Sequence, residues 1–264
     1  MPMERVNGAD IAYDVSGDGP PLVFIHGITL TKELWEPQVD ALASSHTVLR
    51  YDLRGHGGSD GTATAAYSYD RLADDLDALL GSLGIEDPVV CGHSLGAGVA
   101  AEYAAKYPDE LSRLVLVGMG EASGYRVAAK RKVRSVATSL PARLLSDERA
   151  DAVVGFLINL LTGGPDFDPE EMPGGRIPEA EMEKYAPLLE RGTDDFPLAE
   201  ISVPTLILTG EHEPADGSTV ATQIPTATCE TVPAAGHVSN WDNPQAFTSA
   251  LESFLSRAET PRVS

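Results

Sequence analysis

Short, uninterrupted apolar runs constrain the fold of this chain more than any other feature. Leu22-Val23-Phe24-Ile25, Pro88-Val89-Val90-Cys91, Leu114-Val115-Leu116-Val117 and Thr205-Leu206-Ile207-Leu208 lack the apolar–polar alternation of a half-exposed strand. Continuous apolarity over so few residues marks strands covered on both faces, as in a parallel sheet. Segments of helical spacing lie between them: Glu33 to Ala43, Tyr69 to Leu83 with Leu72, Leu76, Leu79 and Leu80 on one side, and Leu95 to Lys106. Thr47–Tyr51 and Thr228–Val232 read as further buried strands, and Pro244 to Ser256 as a last helix with proline in its first turn. Repeated strand–helix units predict an α/β fold, a mostly parallel twisted sheet with helices on both faces. Ahead of them, Arg5-Val6 and Ile11-Ala12-Tyr13 flank Asn7-Gly8, the signal of a tight hairpin.

The rhythm breaks after Leu114-Val115-Leu116-Val117. No strand signal occurs from about 124 to 200, where Arg126 to Leu145 and Ala150 to Leu161 are expected to be helical and Gly163 to Pro178 a Gly- and Pro-rich connection. This divides the chain into a core at 1–123, a helical cap at 124–200 and a second part of the core at 201–264. A length of 264 residues suffices for one such domain. With 40 acidic against 19 basic residues and a formal net charge of -21, the chain lacks the basic face of a nucleic-acid binder. The same balance disfavours anionic membrane surfaces; it also suits a source rich in salt. No apolar run reaches the roughly 18 residues of a membrane span. Met1-Pro2-Met3-Glu4-Arg5 does not read as a secretory leader, so a cytoplasmic protein is expected. Cys91 and Cys229 fall in strand-like apolar runs and read as reduced core thiols, without the Cys–His spacing of a metal site.

The chemistry centres on Gly92-His93-Ser94-Leu95-Gly96, which follows a strand and opens a helix. A serine held on so sharp a turn exposes its hydroxyl above the sheet, and the flanking glycines let neighbouring backbone pass closely. The spacing recurs in Gly57-Gly58-Ser59-Asp60-Gly61, but in a loop without that strand-to-helix context, so Ser59 reads as a turn residue. Serine needs a base within hydrogen-bond reach. His46, His56 and His212 lie in junctions and loops, His93 reads as a packing residue and His26 ends a strand, which leaves His237 in Ala235-Gly236-His237-Val238. For the acid that orients the imidazole, Glu213 after the Thr205 strand is the first choice; Asp216, Glu211 and Glu121 are competitors. A turn at Gly27 can aim the Ile28 N–H at the site, with the Leu95 N–H as the second oxyanion donor.

These pieces resemble the α/β-hydrolase superfamily, in its branch of small esterases, enol-lactone hydrolases, C–C hydrolases and cofactor-free haloperoxidases. The matching segments are His26-Gly27 with Trp35 downstream, Asp52 through Ser59, Gly92 through Gly96, Pro204 through Glu213, and Gly236-His237 followed by Asn243-Pro244. They occur in the family's order and span nearly the whole chain outside the insertion, which corresponds to the family's variable helical cap. The resemblance implies the order nucleophile, acid, base. The family usually places Asp where this chain has Glu213, and some relatives carry the acid after the earlier strand, where Glu121 stands. Ser94 occupies the position at which dehalogenating relatives carry Asp.

The expectation is therefore a hydrolase of a small or medium carboxylic ester or lactone, with an acyl-enzyme on Ser94 and no metal or organic cofactor. Trp35, Met119, Leu157 and Leu161 are expected to line the substrate pocket. Two other readings remain open at this point: hydrolysis of a C–C bond in a diketone, and a non-catalytic small-molecule receptor on the same fold.

Overall fold

The computed structural model describes residues 1–61, 67–120, 173, 174, 177, 179–189, 191–213 and 216–257. Strands β1 (Met3–Val6) and β2 (Ala9–Ser16) form the hairpin, with Asn7 at φ 46° and Gly8 at φ 84° in its turn. The buried runs become β3 (Pro21–Ile25), β5 (Val89–His93), β6 (Arg113–Val117) and β7 (Thr205–Gly210), with β4 (Thr47–Tyr51) and β8 (Ala227–Val232) beside them. One eight-stranded sheet results, in the order β1-β2-β4-β3-β5-β6-β7-β8. The pairings β1–β2 and β2–β4 are antiparallel; β3 to β8 run parallel.

Side-chain alternation along each strand sorts the apolar residues into two layers. Leu22, Phe24, Cys91, Val115 and Leu208 face one layer with Val39 and Leu42 of α1 (Glu36–Leu42) and Phe247 and Leu251 of the last helix, Pro244–Leu255. Val23, Ile25, Val90, Leu116 and Ile207 face the other, against α2 (Tyr69–Leu83) and α3 (Leu95–Lys106). Helix α2 begins where the Ser68 hydroxyl accepts the Arg71 N–H and ends at Gly84, φ 63°. These are the cap and left-handed stop that the backbone groups at helix ends require.

The structure departs from the sequence reading in several places. The Glu33 to Ala43 segment is a 310 turn at Lys32–Trp35 followed by α1, because Pro37 enters at the start of a new helix. Strand β8 is the sheet edge, not a doubly covered strand, so Cys229 is only half-buried while Cys91 is fully buried; both are free thiols. A short helix, Ser239–Asp242, precedes the last one and had no clear sequence signal. The expected helices at 126–145 and 150–161 lie outside the described residues. Of the expected cap, the described part includes α4 (Glu179–Leu189), and α5 (Gly217–Ala221), α6 (Ser239–Asp242) and α7 (Pro244–Leu255) follow in the core. Gly174 bridges Leu30, the Tyr67 N–H donates to Lys184 O at 2.9 Å, and the Tyr185 hydroxyl donates to Arg54 O at 2.8 Å. These contacts seat this part of the chain on the loops that leave β3 and β4. Among the described residues, no helix is long and apolar enough to cross a membrane.

Candidate active site

All six parallel strands end at one edge, and the chain reverses its direction of winding between β3 and β5. Ligands of open α/β sheets bind in the crevice at that reversal. Ser94 leaves β5 at this point, with φ 52° and ψ −113°, a backbone conformation that a residue with a Cβ rarely adopts. Surrounding bonds hold it there: the Ser94 N–H donates to Val117 O at 2.8 Å, and Ser94 O accepts the Ala97 N–H at 3.0 Å. The glycines are steric necessities. A Cβ on Gly92 would overlap the Gly96 carbonyl, and one on Gly96 would overlap the carbonyls of Ile25 and His26. Ser59, in the decoy match, is instead buried in the turn after β4; its hydroxyl donates to Asp52 O at 2.6 Å and accepts the Ala12 N–H at 2.9 Å.

His237 sits between β8 and α6. Its Nδ1 lies 2.8 Å from Glu213 Oε1, and the Glu213 side chain is wholly buried. A carboxylate only accepts, so the Nδ1 proton donates and a neutral ring keeps Nε2 as its basic nitrogen. The longer acid is accommodated by a turn that folds it back. The Glu213 N–H donates to Gly210 O at 3.0 Å, and Glu213 Oε2 accepts the Gly210 N–H at 3.2 Å. The described competitors are engaged elsewhere: Glu211 accepts the Ala234 N–H at 2.8 Å, and Asp216 caps α5 through the Ser218 N–H at 2.8 Å. Glu121 lies outside the described residues. The His237 ring packs on Gly118, where a Cβ would come within 2.8 Å of its Cε1. Gly118 follows Val117, which pairs with His93 in the sheet, so the imidazole and Ser94 share the mouth of β5 and β6. Asp242, which the sequence reading did not single out, accepts the Gly236 N–H at 2.7 Å and ties down the loop just before His237.

The remaining histidines divide by what they touch. His26 Nε2 accepts the Leu53 N–H at 3.0 Å, so its Nδ1 carries the proton and donates to Gly27 O at 2.7 Å. Burial lowers its pKa to about 4, which keeps this crosspiece between the β3 and β4 loops neutral. His56 is buried edge-on against Tyr185, and burial takes its pKa down to about 3. His46 bonds to the Ser45 hydroxyl at 2.9 Å, and the His212 N–H donates to Ala235 O at 2.8 Å. Gly27 stands beside Ser94, since a Cβ there would be 3.3 Å from Ser94 Cβ; Ile28 is the next residue. Leu95 is the first residue of α3, where an N–H has no acceptor within its own helix.

Of the expected pocket residues, Met119 is buried just past β6 at this same edge. Trp35 is not at the site mouth. It is fully buried, stacked on Phe24 with ring centroids 4.5 Å apart, and serves the core beneath the sheet because the 310 turn directs it inward. Leu157 and Leu161 lie outside the described residues. Among the described residues, no group of three or more His, Cys, Asp or Glu side chains is arranged to hold a metal ion.

Residues 20–154 match the family model described as the alpha/beta hydrolase fold. The chain is 28% identical to 3-oxoadipate enol-lactonase 2 of Acinetobacter baylyi, over 96% of this chain and 97% of that one. It is 32% identical to the mouse (Mus musculus) sn-1-specific diacylglycerol lipase ABHD11, over 89% of this chain and 81% of the relative. Among solved structures, a thermophilic esterase from Thermogutta terrifontis superposes with a TM-score of 0.70 at 25% identity, covering 98% of this chain and 97% of the esterase.

Proposed function

The chain belongs to the alpha/beta hydrolase fold family, and on that premise we propose that it is a serine hydrolase of a small or medium carboxylic ester or lactone. The observation that carries the proposal is the strained Ser94 at the head of α3, with the His237–Glu213 pair, 2.8 Å between Nδ1 and Oε1, closing over the same sheet edge. In this reading His237 Nε2 takes the Ser94 proton as Oγ attacks the acyl carbonyl. Glu213 holds the imidazole in its tautomer and stabilises the imidazolium. The Ile28 and Leu95 N–H groups receive the oxyanion, each donor worth roughly 3 kcal/mol in the transition state. His237 then protonates the leaving oxygen, and a water that it deprotonates releases the acyl group from Ser94. In this reading Met119, buried just past β6, contacts the acyl portion of the substrate. Full-length similarity to an enol-lactonase and similarity to a lipase and an esterase support an acyl substrate.

The test is labelling with a fluorophosphonate probe alongside a screen of p-nitrophenyl esters of increasing chain length and of simple lactones. Wild type is expected to be labelled at Ser94 and to turn over at least one of these classes, with Ser94→Ala and His237→Ala inactive in both assays. An unlabelled, inactive but folded wild type would remove the proposal in favour of a receptor.

A further inference from the structure

His93 precedes the proposed nucleophile, and its spacing suggests a core residue with no other task. The structure gives it a partner in the loop of the proposed base. His93 Nε2 lies 3.0 Å from the backbone carbonyl of His237, and the two imidazole rings pack with centroids 4.8 Å apart. A carbonyl only accepts, so Nε2 carries the proton and donates. The ring is fully buried, and desolvation, with His237 beside it, holds it well below the ordinary histidine pKa, so it carries one proton only. That proton is committed to Nε2. The bare Nδ1, which has no hydrogen-bond partner among the described residues, is turned toward Gly27, 2.8 Å from where a Cβ would stand. The tautomer is therefore fixed by the bond to His237.

We propose that His93 is a positioning residue that sets the height and tilt of the His237 imidazole over Ser94, by anchoring the His237 carbonyl from the strand that carries the nucleophile. Base and nucleophile otherwise hang on separate elements: Ser94 on the β5–α3 junction and His237 on the loop after β8, at the far edge of the sheet. Asp242 holds the Gly236 N–H, Glu213 holds Nδ1, and His93 alone of these three ties that loop to the residue next to Ser94. A fixed offset between two reacting groups is what catalysis by orientation demands, and misplacement by about 1 Å costs on the order of 100-fold. Among the described residues, Glu213 from the β7 loop and His93 from β5 both face His237; as a neutral ring, His93 does not oppose an imidazolium at His237.

This inference rests on the Ser94–His237 reading, and its test separates the two. His93→Leu removes the donor and keeps an apolar side chain; His93→Gln can place an amide N–H near the Nε2 position. For p-nitrophenyl acetate, His93→Leu is expected to lower kcat about 10- to 100-fold with KM little changed. His93→Gln is expected to recover most of kcat. Proton NMR of the His237 Nδ1–H, which needs no turnover, is expected to show a resonance that is sharp in wild type and His93→Gln and broadened in His93→Leu. With wild type active and labelled at Ser94, a folded His93→Leu with wild-type kcat and Nδ1–H signal would overturn this inference alone. So would a folded His93→Gln as impaired as His93→Leu. A wild type that neither labels nor turns over removes the serine-hydrolase reading, and the NMR comparison still decides whether His93 anchors the loop.

Discussion

At the residue scale, the proposed chemistry depends on where one methylene goes. Glu213 reaches Nδ1 of His237 because the turn through Gly210 carries its backbone back and its other oxygen is held by the Gly210 N–H. Glu213→Asp keeps the charge and shortens the arm, so the contact opens; Glu213→Gln keeps the length and removes the charge that stabilises an imidazolium. Both are expected to lower kcat with little change in KM, Glu213→Gln by about 10²–10⁴-fold, since the amide can also enforce the wrong tautomer. Steady-state kinetics of the two variants beside Glu121→Ala checks this, with Glu121→Ala expected near wild type. Were Glu121→Ala to fall as far as His237→Ala while Glu213→Gln did not, the acid would be Glu121.

At the element scale, the loop after β4 and helix α2 are joined by a buried ion pair. Arg54 Nε and Nη2 bond Asp75 Oδ2 and Oδ1 at 2.5 and 2.6 Å, with both side chains almost fully buried, and the Asn7 amide adds a bond to Asp75 Oδ1 at 3.1 Å. Such a fork-to-fork pair fixes geometry, but removing one partner strands a charge. Asp75→Ala is expected to destabilise the protein by about 3–5 kcal/mol in chemical denaturation, whereas Ser68→Ala, which removes only the cap of α2, is expected to cost about 1 kcal/mol. The comparison matters for the site because Arg54 O receives the Tyr185 hydroxyl of α4, so the pair also holds the ledge on which that helix rests.

At the scale of the whole molecule, the buried histidines set the response to acid. His26 and His56 have folded pKa values of about 4 and about 3, depressed mainly by burial, against 6.5 for an ordinary histidine. Between those values the unfolded chain binds more protons than the folded one, so stability rises with pH. Their contribution is complete above about pH 6.5 and is lost as pH falls toward 4 and below. Asp52, whose pKa burial raises, works weakly in the opposite direction. From pH 7.5 to 5.5 nearly all carboxylates stay ionised, so the slope reports the histidines, and Tm by circular dichroism is expected to fall across that interval. A Tm that held constant or rose would show that these rings are not buried neutral in solution.

Continuous apolar runs and their spacing were enough to name the α/β fold, the parallel strands, helices α2 and α3 to the residue, and the strand-to-helix turn that carries Ser94 and not Ser59, because these follow from local periodicity and from whether a turn joins a strand to a helix. Hairpin chemistry was equally legible in Asn7-Gly8. Other features required the assembled sheet. The edge position of β8, the inward turn of Trp35, and the commitments of Glu211 and Asp216 to backbone N–H groups depend on contacts between residues far apart in sequence. The bond from His93 to the His237 carbonyl spans 144 positions. Spacing along a chain determines which face of an element is apolar; which polar atom meets which is decided when the sheet edge brings separate loops together, since each buried donor and acceptor must then find its partner in space.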